Sequence, residues 1–238
     1  MASRTRPEST LGAIPPARVV SDIEELYDYA TLRAEPRATM HVVSLERSTL
    51  VLGGSQRASV LNEGADLVLP LRRRRGGGGL VLLQPGDLCI DWWIPVDDDR
   101  WSPDVRVSSI RVGEWWACSL NRFGDGGFEV HRGALGGEIA HRIACFAGRG
   151  PGEVFLGERK VVGVTQWRVR EGVYLSTVVH AKGSGELLAL LRDKPEGLES
   201  ALDHHTLSTI APFEVGDLVA DLAELVGTWQ LKTLHLST

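Results

Sequence analysis

The sequence predicts an α+β domain: a mixed β-sheet flanked by helices. Three observations lead there. Short β-type runs punctuated by Gly and Pro fill the middle of the chain, and the apolar period turns helical near both ends. The 238 residues, 43% hydrophobic and 24% charged, have an ordinary globular balance. That length suits one large domain over residues 21–238, preceded by a Pro-rich flexible arm over residues 1–20.

The elements follow in order. Ser21-Asp22 caps a first helix whose face is Ile23, Leu26, Tyr27 and Ala30, and which ends before Pro36. Thr39–Leu45 and Thr49–Leu52 are short strands, the second closed by Gly53-Gly54. Ala65–Leu71 reads as a strand, followed by Arg72 to Arg75 and Gly76 to Gly79. Leu80–Leu83 and Leu88–Ile94 flank the turn Gln84-Pro85-Gly86-Asp87. Ser102-Pro103-Asp104 opens a helix with the face Val105, Val112, Trp116 and Leu120, ended by Gly124. Strands are expected at Phe128–His131, Glu153–Leu156, Lys160–Val169 and Val173–Ala181. Glu186–Leu191 and Glu214–Trp229 are helices, the latter with Leu218, Leu222, Leu225 and Trp229 on one face.

Composition excludes several function classes. A net charge of -5 opposes general nucleic-acid binding, which needs a basic face. No window approaches the ~18 consecutive apolar residues of a membrane helix. The first ten residues lack the apolar stretch of a secretory signal. Three cysteines, an odd number with no motif, suit a reducing cytoplasm.

Three segments can carry chemistry. Gly76, Gly77, Gly78 and Gly79 let backbone N–H groups converge on an anion, with Arg72 and Arg73 at the edge to add charge. The alternative is a solvated basic hairpin tip. Lys160, in Arg159-Lys-Val-Val-Gly163, starts a strand whose alternation puts Val162 and Val164 on its own face. There it can reach a bound acyl group or phosphate, or else be a surface lysine. Cys145, before Phe146 and near Arg149, is a nucleophile if a cation lowers its pKa, and otherwise a core filler. Glu153 is a polar anchor or metal ligand. Gly148-x-Gly150-x-Gly152 leads into a strand and is not a dinucleotide fingerprint. His204-His205 lacks partners at metal-ligand spacing, so no metal site is assigned. Trp92-Trp93 and Trp115-Trp116 line a pocket or fill the core.

Together, residues 22–212 resemble the catalytic domain of the lipoate–protein ligase and octanoyltransferase superfamily, which is related to biotin–protein ligases. His41–Leu45 and Thr49–Gln56 are similar to its first strands. Arg72–Leu83 resembles its Arg-Arg-x-x-Gly-Gly-Gly-x-Val-x-His loop, and Arg159–Gly163 its Lys-x-x-Gly signature. The resemblance implies a biotin/lipoate protein ligase-like fold and attachment of a lipoyl or octanoyl group to the acceptor lysine of a lipoyl domain. The acceptors implied are lipoyl domains of 2-oxoacid dehydrogenases or the glycine-cleavage H protein, with no nucleic acid or membrane involved.

Two chemistries compete within that superfamily. Cysteine-dependent octanoyltransferases take octanoate from acyl carrier protein as a thioester and need no cofactor. Cys145-Phe146 followed by Lys160 resembles their arrangement, Gln166 and Arg168 their Gly-Ser-Ala-Gln-x-Arg stretch, and Glu153 the carboxylate of their Tyr-Glu-Leu segment. Lipoate–protein ligases use ATP and Mg2+ to form an acyl-adenylate, and the unbroken glycine run resembles theirs. The ligases' Asn-Asp metal pair is not evident, and Leu83 stands where the family often has His. The reading adopted is the Cys145 relay, with Lys160 as its partner and Arg72, Arg73, the four glycines, Gly163 and Gln166 binding substrate. ATP-dependent ligation is the alternative, and a non-catalytic acyl or nucleotide binder on the same fold is a third.

Overall fold

The computed structural model describes residues 18–20, 29–136, 140–183, 185–210 and 214–228. Residues 1–17 of the expected arm, the first-helix residues Ser21 to Tyr27, and Trp229 lie outside the described residues. The chain runs β1 (Arg18–Val20), α1 (Tyr29–Ala34), β2 (Thr39–Val43), β3 (Thr49–Leu52), α2 (Ala65–Val68), β4 (Leu71–Arg73), β5 (Val81–Leu83) and β6 (Leu88–Pro95). There follow α3 (Val105–Phe123), β7 (Phe128–Val130), α4 (Ala140–Ile143), β8 (Val154–Leu156), β9 (Arg159–Val169) and β10 (Gly172–Val179). Four helices close it: α5 (Gly185–Leu190), α6 (Leu198–Ala201), α7 (Leu207–Ile210) and α8 (Val215–Thr228).

The strands form a seven-stranded sheet, β1-β2-β6-β10-β9-β8-β7, and a three-stranded sheet, β4-β3-β5. Among the described strands, only β1–β2 and β3–β4 pair in parallel. The α+β expectation therefore holds. Arg18–Val20, the end of the expected arm, are taken up at the edge of β2 as an added strand.

The large sheet is buried on both faces, and β6 displays the consequence. Its eight residues are all buried, so the run reads as continuously apolar apart from Asp91. Cys89 and Trp93 enter a core shared with Leu50, Leu52 and Leu82 of the small sheet. Ile90, Trp92 and Ile94 enter a second core against α3 and α8. Both tryptophan pairs are core residues. Trp92 meets Trp115 and Trp116 edge-on at 5.8 and 6.5 Å, and Trp93 donates Nε1–H to the Glu35 carbonyl.

α3 is capped by Asp104, whose carboxylate accepts from the Arg106 and Val107 amides. Pro103 precedes the cap, and Val105 is 54% exposed, outside the buried stripe of Val112, Trp116 and Leu120. Gly124 ends the helix as expected.

One element differs in kind from the sequence expectation. Ala65–Val68 is a helical turn, and the strand starts only at Leu71. Gly64 sits at φ 80°, and the Leu67 amide bonds back to the Gly64 carbonyl, winding the chain before a ladder can start. Leu67 and Val68 consequently stand 88% and 70% exposed. Short apolar runs of this length do not separate strand from helix by pattern alone. No helix among the described residues is long and apolar enough to cross a membrane.

Candidate active site

The glycine loop is built from inside by two arginines. Arg73 donates to the carbonyls of Gly53, Gly54 and Gln56. Arg74 is buried and donates to Val51 at 3.3 Å, to Gly77 at 2.8 and 3.1 Å, and to Gly79 at 2.8 Å. Five N–H donors on a rigid fork suit such a set of carbonyls. Arg72 bonds the Leu71 carbonyl, and Arg75 lies 5.2 Å over the Trp167 ring. Arg72 and Arg73, expected at the edge as anion ligands, thus engage backbone oxygens. Gly76 and Gly79 permit close approach: a Cβ would sit 2.5 Å from Thr165 Oγ1 in one case and 2.8 Å from Ala144 in the other.

Backbone bonds join this loop to Cys145. The Leu80 amide donates to the Ile143 carbonyl at 2.9 Å, and the Cys145 amide to the Leu80 carbonyl at 2.8 Å. Cys145 then opens a 3-10 turn, half-buried, with Gly163 of β9 packed against it; a Cβ on Gly163 would lie 2.9 Å from Phe146 and 3.6 Å from Cys145 Sγ.

Lys160 completes the group through a bulge. Val154 pairs with Val162 and Phe155 with Lys160, which leaves Val161 as an extra residue on β9. Simple alternation, which places Lys160 with Val162 and Val164, is therefore corrected. Lys160 shares a face with Phe155, while Val162 shares one with Val154. The Lys160 ammonium is buried, 2.7 Å from Glu153 Oε2 and 2.8 Å from the Cys145 carbonyl, and the His205 amide holds the Lys160 carbonyl at 2.9 Å. Glu153 also accepts from the Gly150 amide at 2.6 Å. Gln166 faces elsewhere, donating to Val105 O and Ser109 Oγ of α3 at 2.7 and 2.5 Å, so the structure does not bring it to Cys145. His204 is a packing residue, its ring 4.8 Å from Phe146 and 5.1 Å from His180.

Two cavities flank the Cys145-Phe146 pair. A cleft of about 450 Å³ is lined by Phe146, Phe155, Lys160, Arg149 and Arg159. A narrow cavity of about 30 Å³ is roofed by Val51, Val81 and Leu83 and reaches Cys145 and Gly163. Each cation of the cleft has a carboxylate partner: Arg149 with Glu158 at 2.6 Å, Arg159 with Asp203 at 2.9 Å, and Lys160 with Glu153.

Burial pushes the Cys145 thiol up, and the Lys160 and Arg74 cations pull it partly back. The resting site therefore holds a thiol. Burial likewise raises Glu153, against the opposing charge of Lys160. Among the described residues no group of three or more His, Cys, Asp or Glu side chains can hold a metal ion.

No protein-family model and no curated protein matches this chain. Solved structures do. A lipoate-protein ligase A bound with ATP superposes with a TM-score of 0.68 at 16% identity, over 89% of this chain and 85% of that one. The chain has the lipoate–protein ligase catalytic-domain fold. A bi-partite lipoate protein ligase from Thermoplasma acidophilum, solved in a study that includes its E2 lipoyl domain, also has it, with a TM-score of 0.62 at 15% identity over 89% of this chain and 83% of that one.

Sequence reasoning passed over a buried acid of this site. Asp91 lines the narrow cavity, accepting from Tyr174 Oη at 2.5 Å and the Thr177 amide at 3.1 Å. The available signal was a lone acid inside the apolar run Leu88–Pro95. Burial pushes its carboxyl from 3.8 up to about 6, against the pull of Tyr174, Ser176 and Thr177. Between those values the folded chain holds a proton that the unfolded chain has released. The stabilisation linked to Asp91 is complete below about pH 3.8 and is lost as pH rises through about 6, a change of about 3 kcal/mol. Urea denaturation of wild type and Asp91→Asn checks this. The variant should gain about that much relative to wild type from pH ~4 to ~8, and a pH-independent difference would contradict the assignment.

Proposed function

We propose that this protein transfers an acyl group of the octanoyl or lipoyl class to the acceptor lysine of a lipoyl domain, through a thioester on Cys145. The observation that carries this reading is the position of Cys145. Its thiol meets a narrow, largely apolar cavity, its carbonyl accepts from Lys160, and the next residue lines the wide cleft.

The steps balance without ATP. Cys145 loses its thiol proton and attacks the carbonyl of an acyl thioester carried by acyl carrier protein, and the carrier thiol leaves with a proton. The neutral amine of the acceptor lysine then attacks the Cys145 thioester. An amide forms, the C–S bond breaks, and the thiol is restored. In this reading Lys160, whose ammonium donates to the Cys145 carbonyl, stabilises the developing oxyanion and the departing thiolate. Its charge and that of Arg74 oppose the larger effect of burial and lower the cost of forming the thiolate.

A second reading, adenylation with ATP, is favoured by the likeness to a ligase solved with ATP bound. In this chain a triphosphate would compete with Glu158, Asp203 and Glu153 for the cleft cations. Those ion pairs favour the relay, and no step is derived through a metal.

Intact mass spectrometry after incubation with octanoyl–acyl carrier protein tests the proposal. The expected product is a hydroxylamine-labile octanoyl adduct, absent in Cys145→Ser, with the octanoyl group passing on to a lipoyl domain. Because Cys145 is half-buried, that variant should keep its stability within about 1 kcal/mol. Modification of the domain only with lipoate and ATP would make the protein a ligase, and no modification under either condition would leave a binder.

A further inference from the structure

The floor of the narrow cavity is ordered by strand register. Cys89 of β6 pairs with Val178 of β10, which pairs with Gly163 of β9, the residue packed against Cys145. Two residues along, Asp91 pairs with Ser176, which pairs with Thr165. All six line the cavity. One row is small and apolar beside the thiol; the next, roughly 7 Å away, is a carboxyl and two hydroxyls. The roof above both rows is Val51, Val81 and Leu83.

An unbranched alkyl chain has no use for the second row. Asp91 is fully buried, and three donors reach it: Tyr174, the Thr177 amide and the Ser176 hydroxyl. An ionised carboxylate offers roughly four acceptor positions, so about one remains. Methylenes laid along this row would displace water from a buried carboxyl and give it no donor in return. A cavity of about 30 Å³ has room for water beside that carboxyl. A hydroxyl on the chain would replace that water in kind.

We propose that the acyl group accepted here carries a hydroxyl partway along its chain, which donates to Asp91 in the Asp91–Ser176–Thr165 row. This rests on the reading of the narrow cavity as the acyl site. Ser176 and Thr165 flank the same position and restrict where along the chain the hydroxyl sits. Asp91 thereby sets specificity, and the Cys145–Lys160 chemistry is unchanged by it.

Titration calorimetry on the full chain with octanoic acid and with 6-, 7- and 8-hydroxyoctanoic acids tests this directly. At least one hydroxy acid should bind ~10²-fold more tightly than octanoic acid, because a site built to bond a hydroxyl penalises the analogue lacking it. In Asp91→Leu the preference should invert, and in Ser176→Ala it should shrink. The wild-type comparison decides even where Asp91→Leu does not fold. Octanoic acid binding as tightly as every hydroxy acid overturns the inference and leaves the proposed function standing. Binding of none of the four acids likewise overturns the inference, while the proposed function stands or falls on the octanoyl adduct at Cys145.

Discussion

Replacing Lys160 by alanine should abolish acyl transfer and cost about 3–5 kcal/mol of stability, because the substitution strands a buried carboxylate. The Lys160 and Glu153 side chains are 1% and 7% exposed, and their 2.7 Å contact is the main charge compensation Glu153 has. Without the ammonium, Glu153 keeps the Gly150 amide and takes up a proton, so the deficit should shrink as pH falls. Loss of a donor aimed at a developing oxyanion costs a further ~10²–10³ in rate. The two effects separate in the double variant Lys160→Met/Glu153→Gln. Removing both charges of a buried pair is far milder than removing one, so stability should largely return while transfer stays low. Denaturation midpoints and the acyl carrier protein assay read the two quantities independently. Normal transfer by the double variant would show that Lys160 is only structural.

Gly152→Ala should destabilise the fold by about 4 kcal/mol or more, among the largest losses for adding one methyl group. Gly152 has φ +87°, a region L-residues adopt at a cost, and its Cβ would stand 2.0 Å from the Ser109 carbonyl oxygen. The crowding is reciprocal. A Cβ on Gly113, one turn further along α3, would meet the Gly152 carbonyl at 2.1 Å. Two glycines therefore let α3 lie directly on the turn that delivers Glu153 to Lys160. Any relaxation at this crossing displaces Glu153, so residual activity should fall along with stability. Gly150→Ala is the control. Its Cβ meets nothing closer than 3.6 Å, and the change should be small. Comparable losses at both positions would mean the turn tolerates no side chain anywhere, and that the crossing is not the cause.

The candidate site was partly legible in the sequence. The glycine run, the Cys145-Phe146 pair and Lys160 stand in segments whose residue types are chemically uncommon together, and they converge in the structure. Gln166 was legible only as a residue type; the face of β9 it occupies sends it to α3. The arginines misled for the opposite reason. A charge run reads as a solvated or ligand-facing edge, yet Arg73 and Arg74 find carbonyl oxygens from about 20 residues earlier and from the loop itself.

Local sequence sufficed for the α+β class, the strands β5, β6, β9 and β10, the end of α3 at Gly124 and the residue types gathered around Cys145. These follow from local quantities: apolar period, turn chemistry and backbone freedom. Tertiary structure alone decided that Ala65–Val68 winds as a turn, that the bulge at Val161 swings Lys160 onto the Cys145 face, and that Asp91 lies in the cavity floor. Each depends on register or on a partner distant in sequence. In a strand, one residue of slip moves a side chain to the opposite face, and no property of the neighbouring residues records which way it went.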